Sequence, residues 1–234
     1  MTNASSDGRR FAIYLLPPRG HRLAAWGAGW LGWDIERGEP AAHRGPPGVP
    51  AALQDTVTRR CRTYGFHLTL KAPFRLCRGV AVDDLLAGAA EIAGAQPAFE
   101  AQFRCETLSN FVCLRPTAHD ELRQLANAFV EQLDPLRAEL TEEEIQRRRP
   151  ETLSPEARER LRRWGYPHVF EAFRPHYTLT DPVSPDDLAV LLDALRTEMA
   201  ALVAAPVPIS EVCLVQQADG GSGFRLLSRL QLGL

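Results

Sequence analysis

The spacing of hydrophobic residues changes several times along the chain, and each spacing predicts one type of element. Apolar residues at every third or fourth position predict amphipathic helices, whereas strict alternation of apolar and polar residues predicts half-buried strands. The clearest helix starts after Ser184, a favourable N-cap residue, and carries a leucine-rich stripe to about residue 202. The clearest strand covers residues 99–106, where the alternation is uninterrupted. The chain therefore contains both helices and strands.

The predicted elements recur in the same order in two parts of the chain. Each part contains a strand, a helix and then two strands that form a hairpin, with turn signals at Ser109-Asn110 and Asp219-Gly220-Gly221. This order predicts an α+β fold. The predicted strands are 11–16, 66–70, 99–106, 111–115, 175–179, 207–215 and 224–232, and the predicted helices are 22–30, 82–95, 119–137 and 185–202.

The repeat also predicts the domain organisation. We expect residues 1–234 to form a single bilobal domain, because the repeated parts correspond to approximate halves, 11–117 and 118–234, each with its own lobe. A helical insertion is predicted near residues 138–172. The stretch 38–50 is rich in proline and glycine and predicts an irregular loop. With 45% hydrophobic residues, the chain can bury a substantial core.

Charged residues dominate the segment 141–164 within the insertion. Thr141 and Glu144 fit a capping box at the start of a helix. Its acidic residues are spaced for i,i+4 ion pairs with the arginines that follow, as Glu143–Arg147 and Glu144–Arg148. One interpretation is a pair of solvated helices. The alternative is a lid whose arginines meet an anionic substrate.

The hydrophobic segments are too short for a membrane protein or a secreted one. The longest mostly apolar stretch, 23–33, has eleven residues, whereas a membrane span needs about 20. The apolar run 11–16 follows a polar N terminus and is too short for the core of a signal peptide. We therefore expect the protein to stay in the cytoplasm and to make no contact with a membrane.

Charge and cysteine content exclude further classes. A net charge of −2 gives no global attraction to nucleic acid, so any polyanion would have to bind to a local patch. The five cysteines form an odd set without Cys-x-x-Cys spacing, which argues against a disulfide framework and against a zinc site. Most of them are predicted to be small buried hydrophobic residues.

One short motif, His-x-Thr-Leu, occurs twice. It appears as His67-Leu-Thr69-Leu and as His176-Tyr-Thr178-Leu. In a strand, residues i and i+2 point to the same face about 6.5 Å apart, so each copy would present an imidazole and a hydroxyl together. Two copies facing one cleft would supply two acid/base groups and two hydrogen-bond donors. Repetition by chance is disfavoured, and we interpret both copies as functional.

A histidine pair is suited to phosphodiester chemistry. The unperturbed pKa of histidine is near 6.5, so one neutral ring can act as general base while a protonated ring acts as general acid. One ring would activate water, or an alcohol in the reverse direction, and the other would protonate the leaving oxygen. The threonine hydroxyls would hydrogen-bond the non-bridging oxygens. Because the sequence lacks HExxH, Asp-cluster and Cys/His ligand patterns, we expect neither a metal nor a cofactor.

Two charged residues near the motifs are further candidates. Lys71 is the only lysine in the chain, and strand alternation predicts that it shares the face of His67 and Thr69. A compact point charge at that position would hold a phosphate group of the substrate, and the alternative is a lysine that is there by chance. Arg174 lies two residues before the second histidine and is a candidate phosphate clamp, with a surface or salt-bridge role as the alternative.

Other neighbours could belong to the same site. Thr180 should share the face of the second motif, and His168 could line the same cleft. Tyr64 and Tyr14 could stack on a base or a sugar, although an aromatic residue on a strand is more often part of the core.

These motifs resemble a known superfamily. Paired His-x-Thr motifs in two similar halves resemble the two-histidine (2H) phosphoesterases, which include RNA ligase-like cyclic phosphodiesterases. Longer strings are similar to one uncharacterised branch, which is often found beside carbon–phosphorus lyase genes for phosphonate use. The strings are FAIYLLPP (11–18), YGFHLTLKAPF (64–74), RWGYPHVFEAF (163–173) and FRPHYTLTDP (173–182).

The resemblance implies a bilobal, pseudo-symmetric fold in which two antiparallel sheets flank a central cleft, with helices on the outside. It also implies that His67 and His176 are catalytic and that Thr69 and Thr178 bind the substrate. Pro175 departs from the family pattern, because a residue with a free backbone N–H is expected there. A proline suggests that the second strand starts late or runs along an edge.

The phosphonate context implies a small substrate, the 1,2-cyclic phosphate of ribose 5-phosphate, whose ring opening would yield ribose 1,5-bisphosphate. Two alternatives stay open. One is action on 2′,3′-cyclic phosphate ends or 2′-5′ links of RNA, and the other is a phosphate-binding protein without turnover, which would not need both histidines. The absence of a basic, aromatic strip along any one strand favours the small molecule. No obligate protein partner is evident from the sequence.

Overall fold

The computed structural model describes residues 8–218, 221 and 223–233. The strands are β1 (Arg10–Leu15), β2 (Trp33–Asp34), β3 (Glu39–Pro40), β4 (Leu68–Phe74), β5 (Phe99–Ala101), β6 (Phe103–Leu108), β7 (Phe111–Pro116), β8 (Tyr177–Thr178), β9 (Val207–Ile209), β10 (Glu211–Gln217) and β11 (Arg225–Gln231). The helices are α1 (Arg22–Leu31), α2 (Ala51–Arg62), α3 (Val82–Gly94), α4 (Asp120–Gln132), α5 (Glu142–Gln146), α6 (Pro155–Trp164) and α7 (Pro185–Leu202).

Side-chain caps start the helices that the sequence predicts most clearly. At α7 the hydroxyl of Ser184 accepts a hydrogen bond from the backbone N–H of Asp187 at 3.2 Å. At α5 the capping box is complete, because Thr141 Oγ1 accepts from Glu144 N while the Glu144 carboxylate accepts from Thr141 N. Both bonds satisfy N–H groups that the first helical turn leaves without partners. The predicted helix starts are therefore confirmed.

Two predicted strands are interrupted. The alternating segment 99–106 divides at Gln102, since β5 pairs with β9 in a separate small sheet while β6 pairs with β7. The segment 207–215 divides in the same way into β9 and β10. The first hairpin turn lies at Ser109-Asn110 as predicted, with Ser109 in the left-handed region at φ 56°. In the second predicted turn, Asp219 and Gly220 lie outside the described residues.

Helix α2 is not predicted by the hydrophobic pattern, because half of its buried face is polar. Gln54, Val57, Thr58 and Cys61 are buried at helical spacing. Gln54 donates to the carbonyl of Trp30 at 2.8 Å, and the Thr58 hydroxyl donates to the carbonyl of Gln54 at 2.8 Å. These hydrogen bonds compensate the burial of polar groups, so the helix needs no continuous apolar stripe.

The main sheet has seven strands in the order β11-β10-β1-β4-β8-β7-β6, and every neighbouring pair is antiparallel. The predicted α+β class with antiparallel strands is therefore confirmed. The strands that follow the two motif histidines are neighbours, because β4 and β8 share the register pair Leu68↔Tyr177 within one continuous sheet. The late hairpin β10-β11 pairs with β1, whereas the early hairpin β6-β7 pairs with β8. The halves 11–117 and 118–234 thus exchange their hairpins within the sheet.

Alternate residues of β1 face two different environments. Ile13 and Leu15 belong to the large core, in which α3, α4 and α7 pack against the sheet. Ala12 and Tyr14 belong to a smaller cluster, which contains Phe224 on the other face. Successive side chains of a strand point to opposite faces, so this alternation identifies the face on which Tyr14 lies.

Two bulges interrupt the pairing of β4 with β1. The register pairs are Tyr14↔Thr69, Ile13↔Lys71 and Phe11↔Phe74, so β4 has one extra residue at each step. Directly paired residues of antiparallel strands point to the same face. Thr69 therefore lies on the face of Tyr14, whereas Lys71 lies on the core face with Ile13.

Among the helices that the structure describes, none combines the length and the apolar character needed to cross a membrane.

Candidate active site

The structure brings the two motifs together in one cleft. His67, Thr69, His176 and Thr178 all line this cleft, whose volume is ≈ 430 Å³. A larger concavity of ≈ 840 Å³ runs along α1, but none of the four motif residues lines it. The smaller cleft is therefore the candidate active site.

The register of β4 and β8 explains why the motifs meet. The single pair Leu68↔Tyr177 joins the middle residues of the two motifs, and both side chains are buried in the core. The flanking residues point to the opposite face, where antiparallel register sets His67 against Thr178 and Thr69 against His176. Directly opposed residues have Cβ atoms about 5 Å apart. The motifs thus form a compact, approximately two-fold arrangement of two imidazoles and two hydroxyls.

Hydrogen bonds at both ring nitrogens fix the orientation of His67. Its Nδ1 lies 2.9 Å from the carbonyl oxygen of Gly65, and its Nε2 lies 3.0 Å from Thr69 Oγ1. A carbonyl can only accept, so Nδ1 carries the hydrogen, and the neutral ring accepts from the Thr69 hydroxyl at Nε2. The ring of Tyr14 stacks on the imidazole with centroids 3.7 Å apart and planes at 22°. Nε2 is therefore the nitrogen available to take up a proton.

The second histidine repeats the local geometry of the first. His176 Nδ1 lies 2.7 Å from the carbonyl oxygen of Arg174, two residues earlier, just as His67 Nδ1 bonds to the carbonyl two residues before it. Its Nε2 is again the ring nitrogen that remains to exchange a proton. The ring of Phe111 lies at a tilt, with its centroid 5.5 Å from the imidazole. The predicted late start of this strand is confirmed, because β8 begins at Tyr177; its position between β4 and β7 is central, not at an edge.

Burial shifts both histidines towards the neutral form. It lowers the pKa of His67 to about 4, with His176 acting in the same direction and the hydrogen bond to Gly65 opposing it. Burial also lowers the pKa of His176, where the hydrogen bond to the Arg174 carbonyl opposes it and Arg115 adds to it. A neutral ring is the form that a general base needs. His67 is therefore neutral in the free protein near pH 7.

Four of the further candidates also line the cleft, and one of them is Tyr14, whose ring stacks on His67. Tyr64 is 36% exposed and stacks on Phe224, with ring centroids 5.6 Å apart. Arg174 is exposed at the cleft and also provides the carbonyl that holds the second histidine. His168 lines the cleft as well, and burial lowers its pKa. Thr180 does not line it, because this side chain is fully buried and accepts a hydrogen bond from the backbone of β7.

The predicted orientation of Lys71 is wrong. The bulge at Leu70 reverses the alternation, so this side chain is only 3% exposed and lies on the core face. Its Nζ donates to the carbonyl oxygen of Val130 at 3.2 Å, in the last turn of α4, and lies 5.1 Å from the Phe74 ring centroid. A cation at the C-terminal end of a helix meets carbonyls that have no helical partner. The single lysine therefore caps α4 and does not line the cleft.

Sequence reasoning missed two of the arginines that line the cleft. Arg10 lies at the start of β1, and Arg148 follows α5. The predicted pair of Arg148 with Glu144 is wrong, because Arg75 binds that carboxylate through Nε at 3.1 Å and through Nη2 at 2.9 Å. The other predicted pair, Glu143–Arg147, is confirmed at 3.2 Å. The hydrophobic pattern cannot identify either cleft arginine, because it marks buried apolar positions and both of these residues are polar.

In the described part of the chain, no three His, Cys, Asp or Glu side chains are grouped so that they could hold a metal ion. Metal independence stays a prediction. The cleft offers imidazoles, guanidinium groups and hydroxyls, which can bind a phosphate directly and exchange protons with it.

Comparison with known proteins gives relatives and structural neighbours. The chain is 36% identical over 227 residues to the protein named ribose 1,5-bisphosphate phosphokinase PhnN from Janthinobacterium sp. (strain Marseille), covering 94% of this chain and 50% of that protein. A protein of the same name from Laribacter hongkongensis (strain HLHK9) is 34% identical over 224 residues, covering 93% and 50%. The chain thus spans about half the length of the curated relatives it matches.

Two solved structures are similar over most of the chain. TT0787 of Thermus thermophilus has 19% identity and a TM-score of 0.45, covering 95% of this chain and 97% of that one. E. coli LigT complexed with NADP⁺ has 18% identity and a TM-score of 0.42, covering 98% and 100%.

A family model matches residues 69–225, which include Thr69 and the whole second motif. The predicted membership of an uncharacterised family is confirmed by this match. The chain belongs to the family described as protein of unknown function, DUF1045.

Proposed function

We propose that the protein is a cytoplasmic, metal-independent cyclic phosphodiesterase that opens the ring of a small sugar cyclic phosphate. One observation carries the proposal. His67 and His176 line the same cleft, and each donates Nδ1–H to the carbonyl two residues earlier, so that Nε2 is the ring nitrogen that exchanges a proton. Two oriented imidazoles on adjacent strands supply a general base and a general acid to one bound phosphorus.

In the proposed reaction, His67 Nε2 takes a proton from water as the water oxygen forms a bond to phosphorus. The bond between phosphorus and one ring oxygen breaks, and His176 Nε2 gives its proton to that leaving oxygen. The product is a phosphate monoester beside a free hydroxyl. On substrate binding, the Thr69 hydroxyl turns from His67 Nε2 to a non-bridging oxygen, which leaves Nε2 to the attacking water. The Thr178 hydroxyl donates to another non-bridging oxygen, and charge accumulates on these oxygens in the transition state.

The assignment of roles follows from the environments. Burial lowers the pKa of His67 to about 4, so this ring is neutral near pH 7 and serves as the base. Binding of an anionic phosphodiester beside His176 favours its charged form, which is the form that the acid needs. No step requires an added metal or cofactor.

The names of the relatives support a sugar phosphate as the substrate. A phosphokinase that acts on ribose 1,5-bisphosphate consumes the compound that ring opening of 5-phosphoribosyl 1,2-cyclic phosphate would produce. In two proteins with that name, a region similar to this chain makes up about half of the length. Joining a producing and a consuming activity in one chain would pass the product on directly, so we propose 5-phosphoribosyl 1,2-cyclic phosphate as the substrate.

The test is a panel of cyclic phosphates incubated with purified protein in excess EDTA and followed by ³¹P NMR. The panel contains 5-phosphoribosyl 1,2-cyclic phosphate, ribose 1,2-cyclic phosphate and an oligoribonucleotide with a 2′,3′-cyclic end. We expect the cyclic signal of the first to disappear fastest, with a new monoester signal.

Other outcomes are equally informative. Faster turnover of the RNA end would mean that the substrate is RNA and not a small sugar phosphate. Activity that disappears in EDTA and returns with a divalent ion would reject metal independence. If no cyclic phosphate in the panel is opened, the phosphodiesterase proposal fails, and a phosphate-binding protein without turnover becomes the better explanation.

A further inference from the structure

The candidate cleft carries more positive charge than a cyclic phosphodiester needs. Arg10, Arg148 and Arg174 line it together with the histidines, and none of the described residues that line it is Asp or Glu. A cyclic phosphodiester carries a single negative charge, which the two motifs already serve. The excess of cations indicates a ligand with a second anionic group.

Arg148 is the best placed of the three. Arg10 is engaged by Gln217, whose Oε1 lies 3.0 Å from its Nε. Arg174 is exposed to solvent. Arg148 is half-buried, and its guanidinium carbon lies 4.9 Å from the centroid of the Tyr166 ring, which also lines the cleft. An aromatic platform fixes the plane of a guanidinium and leaves its N–H groups free to bind an anion.

Arg147, the preceding residue, differs from Arg148 both in exposure and in ion pairing. Arg147 has 60% of its side chain exposed and pairs with Glu143 at 3.2 Å. Arg148 has no carboxylate partner among the described residues. Its predicted partner, Glu144, instead accepts hydrogen bonds from Nε and Nη2 of Arg75. A half-buried cation without a counter-ion is costly, and an incoming anion removes that cost.

A second group without a partner in the described part of the chain, the hydroxyl of Tyr14, belongs to a residue that lines the same cleft. The Tyr14 hydroxyl is completely buried and has no hydrogen-bond partner among the described residues. Burial raises its pKa well above the usual value, while Arg10 and Arg148 oppose the shift, so the group stays a neutral donor within electrostatic range of both guanidinium groups. Buried polar groups are nearly always satisfied in native proteins, so an orphan donor in a cleft indicates a ligand acceptor.

We propose that Arg148, positioned over Tyr166 in the cleft that Tyr14 also lines, binds a second phosphate group and so selects cyclic phosphates that also carry a phosphate monoester. The inference rests on the proposed function, which it deepens. A phosphate monoester carries about −1.5 to −2 charge at pH 7 and three acceptor oxygens, which suit a bidentate guanidinium and a phenol donor. Arg148 thus takes the role that the sequence assigned to the solitary lysine.

The test compares two substrates that differ only in the 5-phosphate. For Arg148→Met, kcat/KM on 5-phosphoribosyl 1,2-cyclic phosphate is expected to fall by about 30-fold or more, and on ribose 1,2-cyclic phosphate by less than about threefold. Arg148→Lys keeps the charge but loses the bidentate geometry, so an intermediate loss of selectivity is expected. Arg147→Met is the matched control and should change neither value by more than about twofold, because that side chain lies on the solvated surface.

Equal losses on both substrates would overturn the inference, since Arg148 would then serve the scissile phosphate or the fold. A binding measurement separates this failure from that of the proposed function. Calorimetry with ribose 5-phosphate and with ribose requires no turnover, and the wild type should prefer ribose 5-phosphate while Arg148→Met should lose the preference. A protein that opens no cyclic phosphate but keeps this Arg148-dependent preference would reject the proposed function alone. If the preference is absent in the wild type, the second phosphate site does not exist.

Discussion

The two histidine strands carry the same motif in different surroundings. β4 has seven residues, is bulged twice, and holds His67 beneath the stacked ring of Tyr14. β8 has only two residues, and His176 has the tilted ring of Phe111 as its aromatic neighbour. Both rings nevertheless bond through Nδ1 to the carbonyl two residues earlier.

The comparison separates what the motif determines from what the fold determines. The orientation of each imidazole comes from its own strand and is therefore repeated wherever the motif occurs. Burial lowers the pKa of both rings, but different residues surround them, with Tyr14 stacked on His67 and Phe111 tilted against His176. A repeated motif thus places its two histidines in different surroundings, and the proposed mechanism uses one as the base and the other as the acid.

The largest expected effect comes from removing either ring. We expect His67→Ala and His176→Ala each to lower kcat on the cyclic phosphate by about 100-fold or more, the usual contribution of a general base or acid. His119→Ala is the control, because His119 is exposed and lies outside the cleft. Steady-state kinetics with folding checked by thermal unfolding decides the matter. A variant of either cleft histidine with near-normal turnover would contradict the two-histidine mechanism.

The next largest effect is on the pH dependence. His67 must be neutral and His176 charged, and both pKa values are lowered, the first to about 4 and the second below 6.5. The profile of kcat/KM should therefore be bell-shaped, with its maximum on the acid side of neutrality and a fall of about tenfold per pH unit beyond each limb. Ribose 1,2-cyclic phosphate is the right substrate, since it has no monoester that titrates in this range. A maximum above pH 7.5 would contradict the assigned environments.

The two threonine variants should lose similar amounts of kcat but differ in their pH profiles. Thr69→Val and Thr178→Val are each expected to cost about tenfold in kcat, because each removes one hydrogen bond to the phosphate. In the free protein the Thr69 hydroxyl donates instead to neutral His67 Nε2, so its loss disfavours the neutral ring and should move the acid limb of the kcat/KM profile to higher pH. Thr178→Val should leave that limb in place. Identical pH profiles for the two variants would show that the contact with His67 has no influence on its proton affinity.

The smallest effect on turnover is expected at Lys71. Its side chain caps α4 on the core face, so Lys71→Met should change kcat/KM by less than about twofold. A tenfold loss of kcat/KM on the phosphorylated substrate alone would instead indicate that Lys71 binds the substrate.

The measurable effect of Lys71→Met is expected in the pH dependence of the free energy of unfolding. Burial lowers the pKa of Lys71 from 10.5 to about 8, so between these values this residue binds more protons in the unfolded chain than in the folded one. Burial raises the pKa of Cys61, Cys105, Cys113 and Cys213, which lowers the stability of the wild type and of the variant alike over this range, so the signal is the difference between the two proteins. The free energy of unfolding of the wild type relative to that of Lys71→Met should therefore rise from about pH 8 to 10.5, by up to about 3 kcal/mol. Denaturant unfolding at several pH values measures the difference.

The sequence predicted the features that depend on local pattern. The duplicated motif, the capped helix α7 and the hairpin turn at Ser109-Asn110 all follow from residues within a few positions of each other. Lys71 was misplaced because a bulge depends on the partner strand, and strict alternation cannot reveal it. Arg148 was missed because a distant arginine competes for its expected partner. Helix α2 was missed because hydrogen-bonded polar side chains occupy part of its buried face.

The exchange of hairpins between the two halves has a consequence for folding. β1 lies between β4 and β10, although β10 comes much later in the sequence, and Arg10 pairs with Gln217. During synthesis one edge of β1 therefore has no partner until β10 has been made. Such non-local pairing gives a high contact order, which predicts slow folding and an aggregation-prone intermediate with an open edge. A chain cut between the halves should therefore yield two fragments that become structured only when they are mixed.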